Sequence, residues 1–203
     1  LKNSFTLGTG ELFYPSPYIG DMSDLRTVLA LKDSVHLLAS LLEITPEVVA
    51  CDLHPRYNTT AIAHELGLPV FPVQHHYAHI LACLAEHDVS GPVLGVALDG
   101  TGYGTDGTVW GGELLLMELE EPRWQRLGRL APFALPGGDA AVRQPWRIAQ
   151  ALHTLCEQQG TTIPTLHPWL PDQAQASAAV AEMLQRGINC PATSSCGRLF
   201  DAV

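Results

Sequence analysis

The sequence predicts an α/β fold, a parallel or mixed sheet covered by helices. Short apolar runs at Val48-Val49-Ala50-Cys51, Val70-Phe71-Pro72-Val73 and Val93-Leu94-Gly95-Val96-Ala97-Leu98 alternate with longer stretches of helical periodicity. The third run opens directly into an acidic, glycine-rich segment, Asp99 to Gly107, and apolar residues resume at Val109. The residues that carry chemistry, His75 and Asp99, fall just after the second and third runs. Ligands of such sheets gather at the carboxyl ends of strands.

Each element has a local reason. Residues 4–8 and 11–15, separated by Thr9-Gly10, read as a β-hairpin. Asp21 or Ser23 can cap a helix to about Leu42, with Leu25, Val28, Leu29, Leu31, Val35, Leu38 and Leu41 forming a broad apolar face. A strand at Val48–Cys51 leads into the polar loop Asp52–Asn58. Thr59 or Thr60 starts a second helix that Gly67 stops. The strand 70–73 delivers the chain to a helix over 75–87, and 93–98 forms the next strand. Beyond the glycine segment, Trp124 to Phe133 is expected as a strand, 143–158 as a helix with Pro145 in its first turn, and 164–171 as irregular. An alanine-rich helix over 172–186 ends at Gly187. The polar loop Thr193–Arg198 precedes a last helix.

Composition narrows the class. At 203 residues the chain can bury a sizeable core, and 46% hydrophobic against 16% charged residues is globular rather than disordered. A net charge of −10 disfavours nonspecific binding to nucleic acid or anionic membrane, though a nucleotide site needs only local donors and a cation. No apolar run reaches the length of a membrane span, and no signal peptide is visible. Cys51, Cys83, Cys156, Cys190 and Cys196 are odd in number and lack a C-x-x-C pair. They read as reduced, buried thiols of a cytosol-like compartment rather than a disulfide framework.

Two motifs carry candidate chemistry. His75 and His79 are four residues apart, so on a helix both rings leave one face and can share a metal ion. His76 leaves the helix in another direction and is not expected as a third ligand. Asp99 closes the following strand and is the natural carboxylate partner. Without a metal, the pair reads as ordinary helix histidines and Asp99 as a turn residue. The second motif, Asp99-Gly100-Thr101-Gly102-Tyr103-Gly104-Thr105-Asp106-Gly107, has glycine at four of nine positions, which lets a ligand approach main-chain N–H groups. As strand–turn–strand it resembles the phosphate-binding hairpin of the actin, sugar-kinase and Hsp70 superfamily. A dinucleotide fingerprint fits worse because a strand, not a helix, follows. A calcium loop fits poorly because Thr101, Tyr103 and Thr105 stand where carboxylates belong. Gly137-Gly138-Asp139, ahead of a helix, can hold part of a nucleotide or serve as a simple helix-entry turn.

Several segments together resemble one family: Leu1-Lys2-Asn3-Ser4-Phe5, Cys51-Asp52-Leu53-His54-Pro55, Val73-Gln74-His75-His76-Tyr77-Ala78-His79, Leu98-Asp99-Gly100-Thr101-Gly102-Tyr103-Gly104, Leu135-Pro136-Gly137-Gly138-Asp139 and Ser194-Ser195-Cys196-Gly197-Arg198-Leu199-Phe200-Asp201. In this order they are similar to the C-terminal carbamoyl-transfer domain of the hydrogenase-maturation carbamoyltransferases, HypF, over essentially the whole chain. The resemblance implies an actin-like/Hsp70-like ATPase (ribonuclease H-like) fold, related to the TsaD proteins and incomplete at the C-terminal end. It implies an actin-like subdomain over 1–134, and a helical insertion with the start of a second, truncated subdomain over 135–203.

The same resemblance implies transfer of a carbamoyl group from ATP-derived carbamoyl-adenylate to the C-terminal cysteine of HypE, toward the cyanide ligand of [NiFe]-hydrogenase. Carbamoyl phosphate and ATP would enter through other domains. By position, His75, His79 and Asp99 match a divalent-metal site that suits zinc or iron. Thr101, Gly102 and Gly104 match the phosphate hairpin, Gly137, Gly138 and Asp139 a nucleotide loop, and Lys2 and Asn3 residues near the transferred group. Because the adenylate-forming domains and the second half of the fold are not in the chain, little transferase activity is expected of it alone. A TsaD-like threonylcarbamoyl transferase acting on tRNA is the nearest alternative, but Ala78 stands where that family places glycine, and the acidic balance lacks a tRNA footprint. A non-catalytic nucleotide-binding domain is the third reading.

Overall fold

The computed structural model describes residues 3–87, 89–120, 123–161 and 174–203. The expected irregular stretch 164–171 and the first residues of the 172–186 helix lie outside them. The chain divides into two compact units, 1–73 and 74–203. Strands on both sides of residue 134 share one sheet in the second unit.

In the first unit, β1 (Thr6–Thr9) and β2 (Leu12–Pro15) pair antiparallel as a hairpin, with Gly10 at φ 56° in the turn. Helix α1 (Leu25–Leu41) follows. Its cap is Asp24, whose side chain accepts from the Arg26 N–H at 2.9 Å, and not Asp21 or Ser23. Asp21 is occupied instead by the Ser23 N–H at 2.8 Å. β3 (Val49–Asp52) and β4 (Val70–Val73) pair parallel across α2 (Asn58–Glu65), a right-sized β-α-β connection. α2 begins one residue before Thr59 and has no side-chain cap; Thr60 turns inward, its hydroxyl donating to the His54 carbonyl at 2.9 Å. Leu7, Leu31, Ile62 and Ala63 form the buried centre of this unit.

The second unit opens with α3 (His75–Glu86), whose cap Gln74 accepts from the Tyr77 N–H. β5 (Val93–Tyr103) runs antiparallel to β6 (Val109–Glu118), and β7 (Arg123–Arg129) flanks β6 on its other side. The expected strand 124–133 is therefore two strands. The chain leaves β7 after Arg129, Pro132 cannot donate a ladder bond, and Phe133–Ala134 forms β8 separately. β8 pairs antiparallel with β9 (Ala192–Thr193), which pairs parallel with the start of β6. The resulting five-stranded sheet is mixed, as expected, with order β5-β6-β9-β8 and β7 beside β6.

The expected helix 143–158 is α5 (Trp146–Gln158), with Pro145 at its start, and a separate short helix, α4 (Asp139–Arg143), precedes it. Gln144 precedes Pro145 and sits at φ −132°, ψ 76°, since proline's ring drives its predecessor out of the helical region. α6 (Ala174–Arg186) packs on α5, and α7 (Cys196–Asp201) closes the chain. One cluster, Ile80, Ala97, Trp110, Leu115 and Met117, joins α3 to the sheet; another, Phe133, Leu135, Ala141 and Ile148, joins β8 to α4 and α5. The five cysteines are free thiols, as expected, but none is fully buried: Cys83 is exposed and the other four are partly buried. Burial still pushes the Cys51 and Cys190 thiols above the usual range.

Candidate functional site

The site is built on a bulge. Leu98 pairs with Gly112 and Gly102 with Trp110, so Asp99, Gly100 and Thr101 oppose the single residue Gly111. Bulges of this kind bend a strand and re-aim a side chain. Asp99–Tyr103 is thus strand, not turn. The turn proper is Gly104–Thr108, closed by the Gly104 N–H on the Thr108 carbonyl at 3.0 Å, with Gly107 at φ 76°.

The bulge turns Asp99 toward α3. Asp99 Oδ2 lies 3.1 Å from His75 Nε2 and 4.0 Å from His79 Nε2, and the two Nε2 atoms are 3.1 Å apart. One ligand atom from each of the three residues falls within 4.8 Å of the others. Asp99 Oδ1 accepts the Gly100 N–H at 2.6 Å, while Oδ2 is buried without a hydrogen-bond partner. These distances suit a cation. With metal–ligand bonds of about 2.0–2.1 Å, neighbouring ligand atoms of a tetrahedral ion stand about 3.3 Å apart. Two imidazoles and a carboxylate form the donor set of a zinc or iron site with open positions.

His76, not expected at the site, is there. It is fully buried, and its Nε2 lies 3.6 Å from Asp99 Oδ2. Burial, and then the neighbouring His75, push its pKa below the usual histidine range. Nothing in the i, i+4 spacing of His75 and His79 could have found it, because it reaches Asp99 from the core side of α3.

The hairpin glycines have a packing reason as well. A Cβ on Gly102 would overlap His76 Cε1, and one on Gly104 would overlap the Trp110 indole. Thr101 is exposed beside them. A Cβ on Gly111 would stand 2.5 Å from the Asp99 carbonyl and 2.9 Å from Ser195 Cα. There the segment Ser194–Arg198 docks against the bulge. The Ser195 hydroxyl reaches the Asp99 and Gly100 carbonyls at 3.0 and 2.7 Å and caps α7 by accepting the Arg198 N–H at 3.0 Å.

Behind the bulge lies a charged network that motif reading missed. Glu113, fully buried, accepts the Gly111 and Gly112 N–H groups at 3.1 and 3.2 Å, a short hydrogen bond from the Ser194 hydroxyl, and Arg126 Nε at 2.6 Å. Arg126 lies 3.8 Å over the Trp110 ring and donates to Asp106 Oδ2 at 2.9 Å. Burial alone would raise the Asp106 pKa. Hydrogen bonds from Thr108 and the Trp110 indole, with the charge of Arg126, outweigh it and hold the carboxyl at about 2. Glu113 in an otherwise apolar strand was the available signal: an inward acid in a core strand needs a cation.

Within the second unit, the expected Gly137–Asp139 loop stands apart from this cluster. Gly137 and Gly138, at φ 89° and 56°, make the left-handed entry to α4, with Asp139 at its first position. The loop follows β8, at the opposite end of the sheet order from β5. Asn3 belongs to the first unit, where its carbonyl accepts the Ile19 N–H at 2.9 Å and its Nδ2 is buried without a partner. Lys2 lies outside the described residues. In the second unit, a cleft of about 420 Å³ lies between α3 and β5, with His79 and Asp99 at one end and Ile80, Leu84 and Val96 along it.

Residues 95–203 match the family model described as carbamoyltransferase, Kae1-like domain, second subdomain, and residues 1–86 match the HypF Kae1-like domain. Carbamoyltransferase HypF of Rhizobium leguminosarum bv. viciae is 42% identical over 202 residues, covering 100% of this chain and 26% of that protein. A carbamoyltransferase HypF homolog of Cupriavidus necator is 44% identical over 206 residues, covering 100% of the chain and 51% of its own length. Full-length HypF solved in a phosphate- and nucleotide-bound form superposes with a TM-score of 0.87 at 34% identity, over 99% of this chain and 26% of that one. HypF of T. kodakarensis superposes with a TM-score of 0.78 at 30% identity, over 98% and 28%. The chain thus spans between about a quarter and a half of the length of these relatives. Matched along nearly all of its own length by both parts of one domain, it belongs to the HypF family of carbamoyltransferases.

Proposed function

We propose that this chain is the carbamoyl-transferring part of a HypF protein. It would hold a divalent cation on His75, His79 and Asp99 and pass a carbamoyl group from carbamoyl-adenylate to the C-terminal cysteine of HypE, toward the cyanide ligand of [NiFe]-hydrogenase. The observation that carries this reading is the convergence of the three ligand atoms within 4.8 Å, in a chain whose relatives are named carbamoyltransferases. A bound cation would supply Lewis-acid polarisation of the carbamoyl carbonyl. The chain's own residues would bind and orient: Thr101, Gly102 and Gly104 at the phosphate, Gly137, Gly138 and Asp139 at the nucleotide, Lys2 and Asn3 near the transferred group. The solved relative carrying phosphate and nucleotide supports a nucleotide as one occupant.

The reading includes an actin-like ATPase architecture and a cytoplasmic setting. Among the described residues no helix is long and apolar enough to cross a membrane. In the transfer, the cysteine thiolate attacks the carbamoyl carbon, the bond to the adenylate phosphate oxygen breaks, and AMP leaves. The test supplies the chain with zinc, carbamoyl-adenylate and a HypE peptide ending in cysteine, and follows the thiocarbamate by mass spectrometry. A gain of one carbamoyl group, however slow, that disappears in the His75→Ala/His79→Ala variant supports the assignment. Equal transfer by wild type and variant contradicts it.

A further inference from the structure

The ring of His76 is locked on every side. Gly102 leaves the space it fills, and the Trp110 indole stacks beside it at 6.2 Å between centroids. Its Nε2 is buried without a hydrogen-bond partner and lies 3.6 Å from Asp99 Oδ2, an oxygen that also meets His75 Nε2 at 3.1 Å. An unpartnered ring nitrogen buried this close to a carboxylate calls for an account.

Gln74 fixes which nitrogen of His76 carries the proton. Its Oε1 accepts the Tyr77 N–H at 2.9 Å as the cap of α3, so the other end of the amide is the NH2 group. That group donates to the Tyr103 carbonyl at 3.2 Å and meets His76 Nδ1 at 3.2 Å. An amide NH2 only donates, so Nδ1 is the acceptor and the neutral ring is protonated on Nε2. A ring protonated at Nε2 cannot ligate a metal through that atom. A doubly protonated ring would set Nδ1–H against the amide hydrogens.

We propose that His76 is a positioning residue: Gln74 holds it with Nε2–H aimed at Asp99 Oδ2, where it orients the carboxylate toward His75 and His79. The inference rests on the reading of those three residues as a cation site. A closure of about half an ångström brings the pair into hydrogen-bond range. A neutral donor orients the carboxylate without cancelling the charge a cation needs. Outer partners of this kind typically change metal affinity about 10–100-fold.

The test uses the 203-residue chain and two readouts. Zinc affinity is measured by competition with a chromophoric chelator for wild type, His76→Leu and His76→Gln, and the His76 tautomer is read by long-range nitrogen–proton NMR on the zinc-free chain. The expected result is the Nε2–H tautomer, a loss of about 10–100-fold in zinc affinity for His76→Leu, and recovery of most of it in His76→Gln, whose amide restores a donor near the same point. The Nδ1–H tautomer, or a folded His76→Leu that binds zinc like wild type, overturns the proposal. If His76→Leu fails to fold, His76→Gln decides: near-wild-type affinity with the Nε2–H tautomer upholds it, and affinity lost about 10-fold or more overturns it. A wild type that binds no zinc overturns the cation reading instead. The tautomer then decides the pair alone, Nε2–H upholding donation to Asp99 and Nδ1–H overturning it.

Discussion

Arg126 Nε lies 2.6 Å from Glu113 Oε2, joining β7 to a carboxylate that is fully buried in β6. The same carboxylate takes the Gly111 and Gly112 N–H groups, opposite the bulge that carries Asp99. The pair therefore fixes the strand against which the site is built. Removing one partner of a buried pair costs about 3–5 kcal/mol, and the bond that Arg126 keeps to Asp106 sets the lower end of that range here. Glu113→Gln is expected to lower the stability of the second unit by that amount. All four tryptophans follow Gln74, so fluorescence-detected urea unfolding reads this unit. A change below about 1 kcal/mol would mean the pair acts like a surface one.

Asp106 gives a pH dependence whose sign can be worked out. Its folded pKa of about 2 lies below the ordinary 3.8, so folding favours the ionised form. The stabilisation is complete above 3.8 and is lost as pH falls through 3.8 toward 2. Asp106→Asn should unfold at lower urea than wild type near neutral pH, with the gap closing over that acidic window. A gap constant with pH would show that the carboxylate charge is not what the turn uses.

Glycines beside the bulge are expected to differ sharply from glycines elsewhere in the sheet. Gly111→Ala drives a Cβ into the Asp99 carbonyl and Ser195 Cα, both backbone atoms, and overpacking of this kind costs about 1–3 kcal/mol. Gly128→Ala meets only Leu114 side-chain atoms at 3.8 Å and should be close to neutral. Thermal unfolding of the two variants side by side checks the contrast.

Ser195 ties α7 to the bulge through one hydroxyl. Ser195→Ala removes the helix cap and the bonds to the Asp99 and Gly100 carbonyls, a loss of about 0.5–2 kcal/mol. Hydrogen exchange should quicken at the Arg198 amide and leave the amides of α5 unchanged.

Much of this was legible in the chain. Alternating apolar runs gave the strands and helices in order, and the four-residue spacing of His75 and His79 placed both rings with Asp99. The departures have physical causes. Pro145 keeps Gln144 out of the helix it begins, so the short helix Asp139–Arg143 stands separately before it, and Asp24 takes the cap because Asp21 is occupied by the Ser23 amide. The bulge was read as turn because glycine content does not separate a close strand approach from a reversal. His76, Arg126 and Ser195 were hidden because their roles come from partners distant in sequence, whereas Glu113 left a signal as an acid in an apolar strand.

The central claim is that His75, His79 and Asp99 hold one cation. Zinc content of the purified chain by elemental analysis, for wild type and for His75→Ala/His79→Ala, tests it most directly. Near one equivalent is expected in wild type and none in a double variant whose circular dichroism is unchanged. A wild type without zinc or iron, or a folded double variant that keeps its metal, would contradict it.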